Sequence, residues 1–210
     1  MFAAAIGLAI PSSGEVLDRV VASVGNTAIT QSDIVQEYRF ERFLDGNPPE
    51  GEPDSEESQA ALSRVISQTL LAEQMRRPGR VSKNGTKNAE DTLKGIREKF
   101  QSEQAYNVAL QSLGMTEAQV LDRLEIYQRT LQMINNRLRP MAIPDPGEID
   151  DYYKKVFVPE YAKQNSGPPP ALDQVRDQIR EILVQKKMNQ QLDDWLNRLK
   201  ASHRVTIHSD

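Results

Sequence analysis

The chain has 210 residues, 27% charged and 38% hydrophobic, which is enough for one large or two small domains with a somewhat lean apolar content. Its 30 acidic residues exceed its 26 basic ones and no basic run is longer than a pair, which argues against a general nucleic-acid binder, since phosphate binding needs basic surface. There is no cysteine, so disulfides, thiolate metal sites and cysteine catalysis are excluded.

Phe2 to Ile10 is an apolar run ending at Pro11-Ser-Ser-Gly14. It reads as the hydrophobic part of a signal peptide that has lost its basic start, with a loosely packed tail as the alternative, and it is too short to span a membrane. Val20, Ala22 and Val24 then alternate with Val21, Ser23 and Gly25 in a period of two. Gly25-Asn26 supplies a turn and Thr27 to Ile29 returns as a second short strand. Thr30, with Asp33 three positions on, is a helix-start signal. Because a two-stranded ribbon is marginal in water, a third strand is expected from elsewhere.

Helices are predicted over Asp33 to Leu44 and, after the proline-glycine-acid loop at 45–53, over Ser55 to Arg77, where Leu62, Val65, Ile66, Thr69 and Leu70 form one stripe. Pro78-Gly79 ends that helix, and Arg80 to Lys87 reads as a loop. Further helices follow over Asn88 to Phe100, with Leu93, Ile96 and Phe100 inward, and over Ser102 to Leu113, closed by Gly114. Thr116-Glu-Ala-Gln119 is a capping box. It opens the most regular stretch, where Val120, Leu124, Tyr127, Leu131, Ile134 and Leu138 make a seam for neighbouring helices. Pro140 and Pro144 mark an extended hinge, and Asp145-Pro-Gly-Glu148 starts a helix carrying Ile149, Tyr152, Tyr153, Val156 and Phe157. Gln164 to Pro170 is a proline-rich linker. A long helix over Leu172 to Ala201 shows one apolar stripe (Leu172, Val175, Ile179, Ile182, Leu183) and, after a stagger, a second through Met188, Leu192, Trp195, Leu196 and Leu199. Arg204 to Ile207 has strand character and is the candidate third strand of the ribbon.

These pieces in this order resemble the SurA-like, parvulin-associated family of periplasmic chaperones. The residues that carry the resemblance are Asp18 to Asp33, Leu62 to Met75, Leu113 to Val120, Ile143-Pro-Asp-Pro-Gly-Glu-Ile-Asp-Asp-Tyr-Tyr153 and Val175 to Leu199. The resemblance implies a mainly α, SurA- or trigger-factor-like peptide-binding module, with a small N-terminal β-ribbon joined by a C-terminal helix and strand. On that reading 1–14 is a leader or tail and 15–163 is the chaperone domain. Residues 164–171 are a linker standing where the family carries an isomerase domain, and 172–210 complete the chaperone domain. With no room for an isomerase, no enzymatic activity is expected.

The resemblance therefore implies an ATP-independent holdase for unfolded or extended polypeptides, namely outer-membrane protein precursors in the periplasm, with no cofactor. An adaptor or assembly subunit with one fixed partner, or a homodimer formed by segment exchange across the short linker, is the alternative reading. A degenerate prolyl isomerase is the enzymatic one. No catalytic or metal motif stands out. His203 and His208 lack metal-ligand spacing and read as solvated or strand-edge residues. The pairs Glu56-Glu57, Asp150-Asp151 and Asp193-Asp194 are adjacent on helices and point apart. The candidate client contacts are methionine and aromatic side chains, which adapt to varied apolar partners: Phe40, Phe43, Met115, Met141, Tyr152, Tyr153, Phe157 and Tyr161, with Met188 and Trp195 beside them.

Overall fold

The computed structural model describes residues 18–76 and 85–208. The signal-like run at 2–10 and the stop at Pro78-Gly79 lie outside the described residues. The chain is mainly helical, with one small antiparallel sheet. Strand β1 (Val20–Val24) turns through Gly25-Asn26 into β2 (Thr27–Thr30). Gly25 has φ +57°, the left-handed conformation that the first position of such a two-residue turn demands. The third strand is where the ribbon needs it: β3 (Val205–Ile207) pairs with β1, giving the order β2-β1-β3. The Gly25 amide donates to the His203 carbonyl at 2.8 Å, which fastens the turn to the C-terminal end. One detail of the strand reading is corrected. The register slips between Val20 and Ala22, so Val21 and Ala22 are both buried and Val20 is exposed.

Thr30 caps α1 (Gln31–Leu44): its hydroxyl accepts from the Asp33 amide at 3.3 Å, and the Asp33 carboxylate accepts from the Thr30 amide at 2.8 Å. Asp54 and Glu57 make the same reciprocal pair at the head of α2 (Ser55–Met75). Helix α3 (Gly85–Arg97) begins inside the stretch read as a loop, and its last turn ends before Phe100. Ser102 caps α4 (Glu103–Leu113), and Gly114 closes it at φ +69°. Thr116 and Gln119 open α5 (Glu117–Leu138).

The expected hinge is half structured. Arg139–Met141 forms a 3-10 turn before the irregular stretch from Ala142 to Asp145. Pro146 then starts α6 (Pro146–Tyr152), which continues through a π-helical turn at Tyr153–Phe157 into α7 (Val158–Gln164). The wide turn has a local cause: Pro159 lacks an amide proton and its ring presses on the carbonyl four residues back, so the preceding turn opens. Helix α8 (Leu172–Ser202) follows the linker.

Four apolar clusters organise the described residues. The first joins the sheet, α1, α2 and the end of α8 through Val24, Ile29, Ile66, Leu70, Trp195 and Leu199. The second joins the end of α1 to α3, α4 and the start of α5 through Phe43, Leu93, Tyr106, Leu113 and Leu124. These two form the head. The third is small, Leu138 and Ala142 against Val184 and Met188. The fourth packs α6 on the beginning of α8 through Ile149, Val175, Ile179 and Leu183.

Helix α8, about 46 Å long at 1.5 Å per residue, is the spine of three of them. Ile179 and Met188 stand nine positions apart, about two and a half turns, so they face opposite sides of the helix. The early part of α8 therefore carries α6 and α7 as an arm on one side, while its later part buries its other side against the head. The stagger between the two stripes is that change of face.

The seam read along α5 holds at its ends and fails in the middle. Val120, Leu124 and Leu138 are buried, Ile134 is half-buried, and Tyr127 and Leu131 are exposed between the second and third clusters, where Met133 turns inward to the first. Inside the head, Glu37 is only 3% exposed. It receives a 2.8 Å hydrogen bond from Gln68 of α2 and an ion pair from Arg123 of α5, with the Arg64 guanidinium 3.9 Å away. Arg123 also lies over the Phe40 ring, 3.9 Å from its centre. This network crosses three helices and ties the head together.

Candidate polypeptide-binding surface

The arm carries a row of aromatic rings. Tyr153, Phe157 and Tyr161 recur every four residues, so they share one face of the helical rod. Their rings stack in sequence, Tyr153 on Phe157 at 5.7 Å between centres and Phe157 on Tyr161 at 6.0 Å. All three are half-buried. Tyr152, Tyr153 and Phe157 pack one side against the fourth cluster and its Leu172, whereas Tyr161 lies beyond it. The Tyr153 hydroxyl donates to the Pro170 carbonyl at 2.9 Å. Near the junction of arm and head, Met141 (61% exposed) and Ile143 (70%) stand out into solvent, and Val156 and Ile182 are exposed on the arm and the early part of α8.

Most charges around this surface are paired among themselves, with Lys154 of the π-helical turn left over. Asp151 meets Lys155 at 2.8 Å, Glu160 meets Lys163 at 2.7 Å and Asp177 meets Arg180 at 2.6 Å. Arg139 grips Glu181 with two hydrogen bonds of 2.9 and 2.7 Å, and Lys187 reaches Glu148 at 2.6 Å, which fixes the arm to the spine. Three of these pairings hold a carboxylate below the ordinary range: the hydrogen bond from Lys155 does so for Asp151, that from Arg139 for Glu181, and that from Lys187, with the Asp145 amide, for Glu148. These carboxylates stay ionised and already engaged. What the surface offers a partner is apolar area and aromatic faces rather than net charge.

The residues singled out in the sequence fall into three groups. Tyr152, Tyr153, Phe157 and Tyr161 are brought together on the arm, and Met141 is exposed near it. Met115 is half-buried at the turn from α4 into α5 and packs on the second cluster. Phe40 and Phe43 are interior residues, 6% and 0% exposed, and Met188 and Trp195 are buried as well. As folded, these four fill cores and offer no face to a client. Ile143, Tyr127 and Leu131 are exposed apolar residues that sequence reasoning passed over. Ile143 sits alone between Ala142 and Pro144 with no periodicity to mark it, and the other two were absorbed into a regular seam.

Among the described residues, no group of three His, Asp or Glu is placed to hold a metal ion. His203 lies between Glu73, 3.3 Å from its Nε2, and the Leu199 carbonyl, 2.9 Å from its Nδ1, at the joint between α8 and β3. The adjacent Asp150 and Asp151 turn to different cations, Arg176 and Lys155. No described helix is long and apolar enough to cross a membrane. A scan against protein-family models finds no match to this chain, and a search of curated proteins finds none either.

Proposed function

We propose that this protein is an ATP-independent holdase that binds unfolded or extended polypeptide, with outer-membrane protein precursors in the periplasm as its clients. The observation that carries the reading is the half-exposed aromatic row on an arm that stands apart from the two head cores. A fully solvated tyrosine or phenylalanine row would be a solubility liability, and a core row would be closed. This one is held in a fixed stack and stays half-exposed, and the adaptable Met141 and Ile143 are exposed in the segment that leads into the arm. The ordered resemblance of the segments from Asp18 to Leu199 to periplasmic chaperones supports the same reading.

Binding of this kind is weak, multi-site and reversible, and it keeps client segments apart without nucleotide or covalent chemistry. The test is light scattering while an unfolded outer-membrane barrel protein is diluted from denaturant. An equimolar amount of this protein is expected to delay aggregation where an unrelated acidic helical protein does not. Equal scattering with both proteins would remove the proposal and direct attention to a single stable partner.

A further inference from the structure

The segment that follows the arm shows what chemistry the row accepts. Helix α7 ends at Gln164, and the chain must be back beside Tyr153 by Pro170, whose carbonyl takes the Tyr153 hydroxyl. Twelve helical steps from Tyr153 to Asn165 climb about 18 Å, while the five residues from Asn165 to Pro170 span at most about 17 Å when fully extended. With the reach of the tyrosine side chain the segment closes that distance, bending at Ser166 and Gly167 before the irregular stretch from Pro168 to Ala171. Pro168-Pro169-Pro170 suits that path, because each ring fixes φ near −65° and holds the residue before it in the extended or polyproline region. Pro169 and Pro170 are half-buried, and no peptide bond in the described chain is cis. A tyrosine hydroxyl on the carbonyl of an extended proline segment, beside a row of stacked rings, is the arrangement by which aromatic grooves hold polyproline helices.

We propose that the row of Tyr153, Phe157 and Tyr161 is a docking ledge for extended, proline-containing polypeptide, and that the chain's own Gly167 to Pro170 strap occupies its Tyr153 end as an internal competitor. The inference rests on the holdase reading and names the kind of client segment the arm prefers. The strap sets the threshold: client displaces it or extends from it toward Tyr161. The occupant is fixed by continuity with the contact already made, since the site holds a proline carbonyl in the free protein. Proline rings lie against aromatic faces with little further loss of freedom, because the segment is stiff before it binds.

The experiment is a fluorescence-anisotropy titration of two labelled ten-residue peptides, one with Pro-Pro-Pro at its centre and one with Ala-Ala-Ala in an otherwise identical extended sequence. Four full-length proteins are compared: the unaltered chain, the strap variant P168S/P169S/P170S, Y153F and Y161A. Circular dichroism confirms that each keeps its helix content. The proline peptide is expected to bind the unaltered chain at least threefold more tightly than the alanine peptide. The strap variant, which frees the ledge, is expected to tighten proline-peptide binding about fivefold; Y153F, which takes the same hydroxyl from strap and client alike, is expected to show no such gain, and Y161A to weaken binding by at least threefold.

Equal affinity for the two peptides, or a strap variant no tighter than the unaltered chain, would overturn the ledge. In either case the light-scattering assay judges the holdase reading separately, because it uses a whole unfolded client. If sedimentation shows that freeing the strap produces a dimer that no longer takes peptide, the row belongs to a second copy of this chain and the proposal also fails.

Discussion

The head and the arm each hold a trio of aromatic rings in mutual contact, and the two trios are built differently. In the head, Phe43, Phe100 and Tyr106 meet with centres 5.5 to 5.7 Å apart at tilted and edge-on angles. Phe43 and Tyr106 are wholly buried, with Arg97 over the tyrosine ring and its hydroxyl on Glu117 at 3.1 Å. In the arm, Tyr153, Phe157 and Tyr161 stack nearly parallel at similar separations but come from a single rod, and each keeps a face open. Rings contributed by different elements are closed in from several directions, whereas rings from one helix can be covered only on the side where a neighbour lies. The difference teaches that ring spacing alone does not make a core. The number of elements converging on the rings does.

The comparison breaks most visibly in stability. Phe43→Ala empties the middle of the head trio and is expected to lower unfolding free energy by about 3–5 kcal/mol, measured by urea denaturation. Phe157→Ala removes a half-exposed ring, so its cost should be under about 1.5 kcal/mol in the same titration. Nearly as large as the Phe43 effect should be Arg123→Ala, which strips the ion pair from buried Glu37 and uncovers the Phe40 ring, for a loss of about 3 kcal/mol. The double variant Glu37→Met/Arg123→Leu should recover much of that loss, because no charge is then left buried without its partner.

A smaller effect sharpens the contrast through pH. The Tyr106 hydroxyl is pushed up to about 12, by burial first and then by the neighbouring Glu117 carboxylate. An unfolded tyrosine titrates near 10, so the folded state favours the protonated form. That stabilisation is complete below about pH 10 and is lost as pH rises toward 12. Thermal unfolding followed across this window should show a steep fall for the unaltered protein and a shallower one for Tyr106→Phe.

The smallest expected effect on stability belongs to Met141→Ser and Ile143→Ser, each within about 0.5 kcal/mol because both side chains stand in solvent. Their signature should lie in client binding, as a modest weakening in the aggregation assay.

Local chemistry was readable from sequence to a considerable depth. Thr30 with Asp33, Ser102, Gly114 and Thr116 with Gln119 mark helix ends because the signals act over three or four residues, and β3 was implied by an incomplete ribbon. What escaped was long-range. Tyr127 and Leu131 continue a faultless seam, yet no element covers that face in the middle of α5, and periodicity records only that a face is apolar. Phe40 and Phe43 look no different in sequence from Phe157, since three helices closing over them come from positions 85–138. The π-helical turn at Tyr153–Phe157 had a cue in Pro159, but a proline inside a helical pattern more often announces a kink or an end. Among the candidate contacts, the arm residues were legible as a run of aromatics, while their open face depends on how α8 changes sides between Ile179 and Met188.

The most direct test of the central claim places a photoreactive phenylalanine analogue at Tyr161 on the arm and, in a second protein, at Val108, an exposed apolar position on the head. Each is irradiated with an unfolded outer-membrane barrel protein just diluted from denaturant. The account expects strong cross-linking to client from position 161 and little from 108, with an excess of unlabelled proline-containing peptide suppressing the first. Equal yields from both positions, or capture only from 108, would contradict it and show that the arm is not where unfolded chain is held.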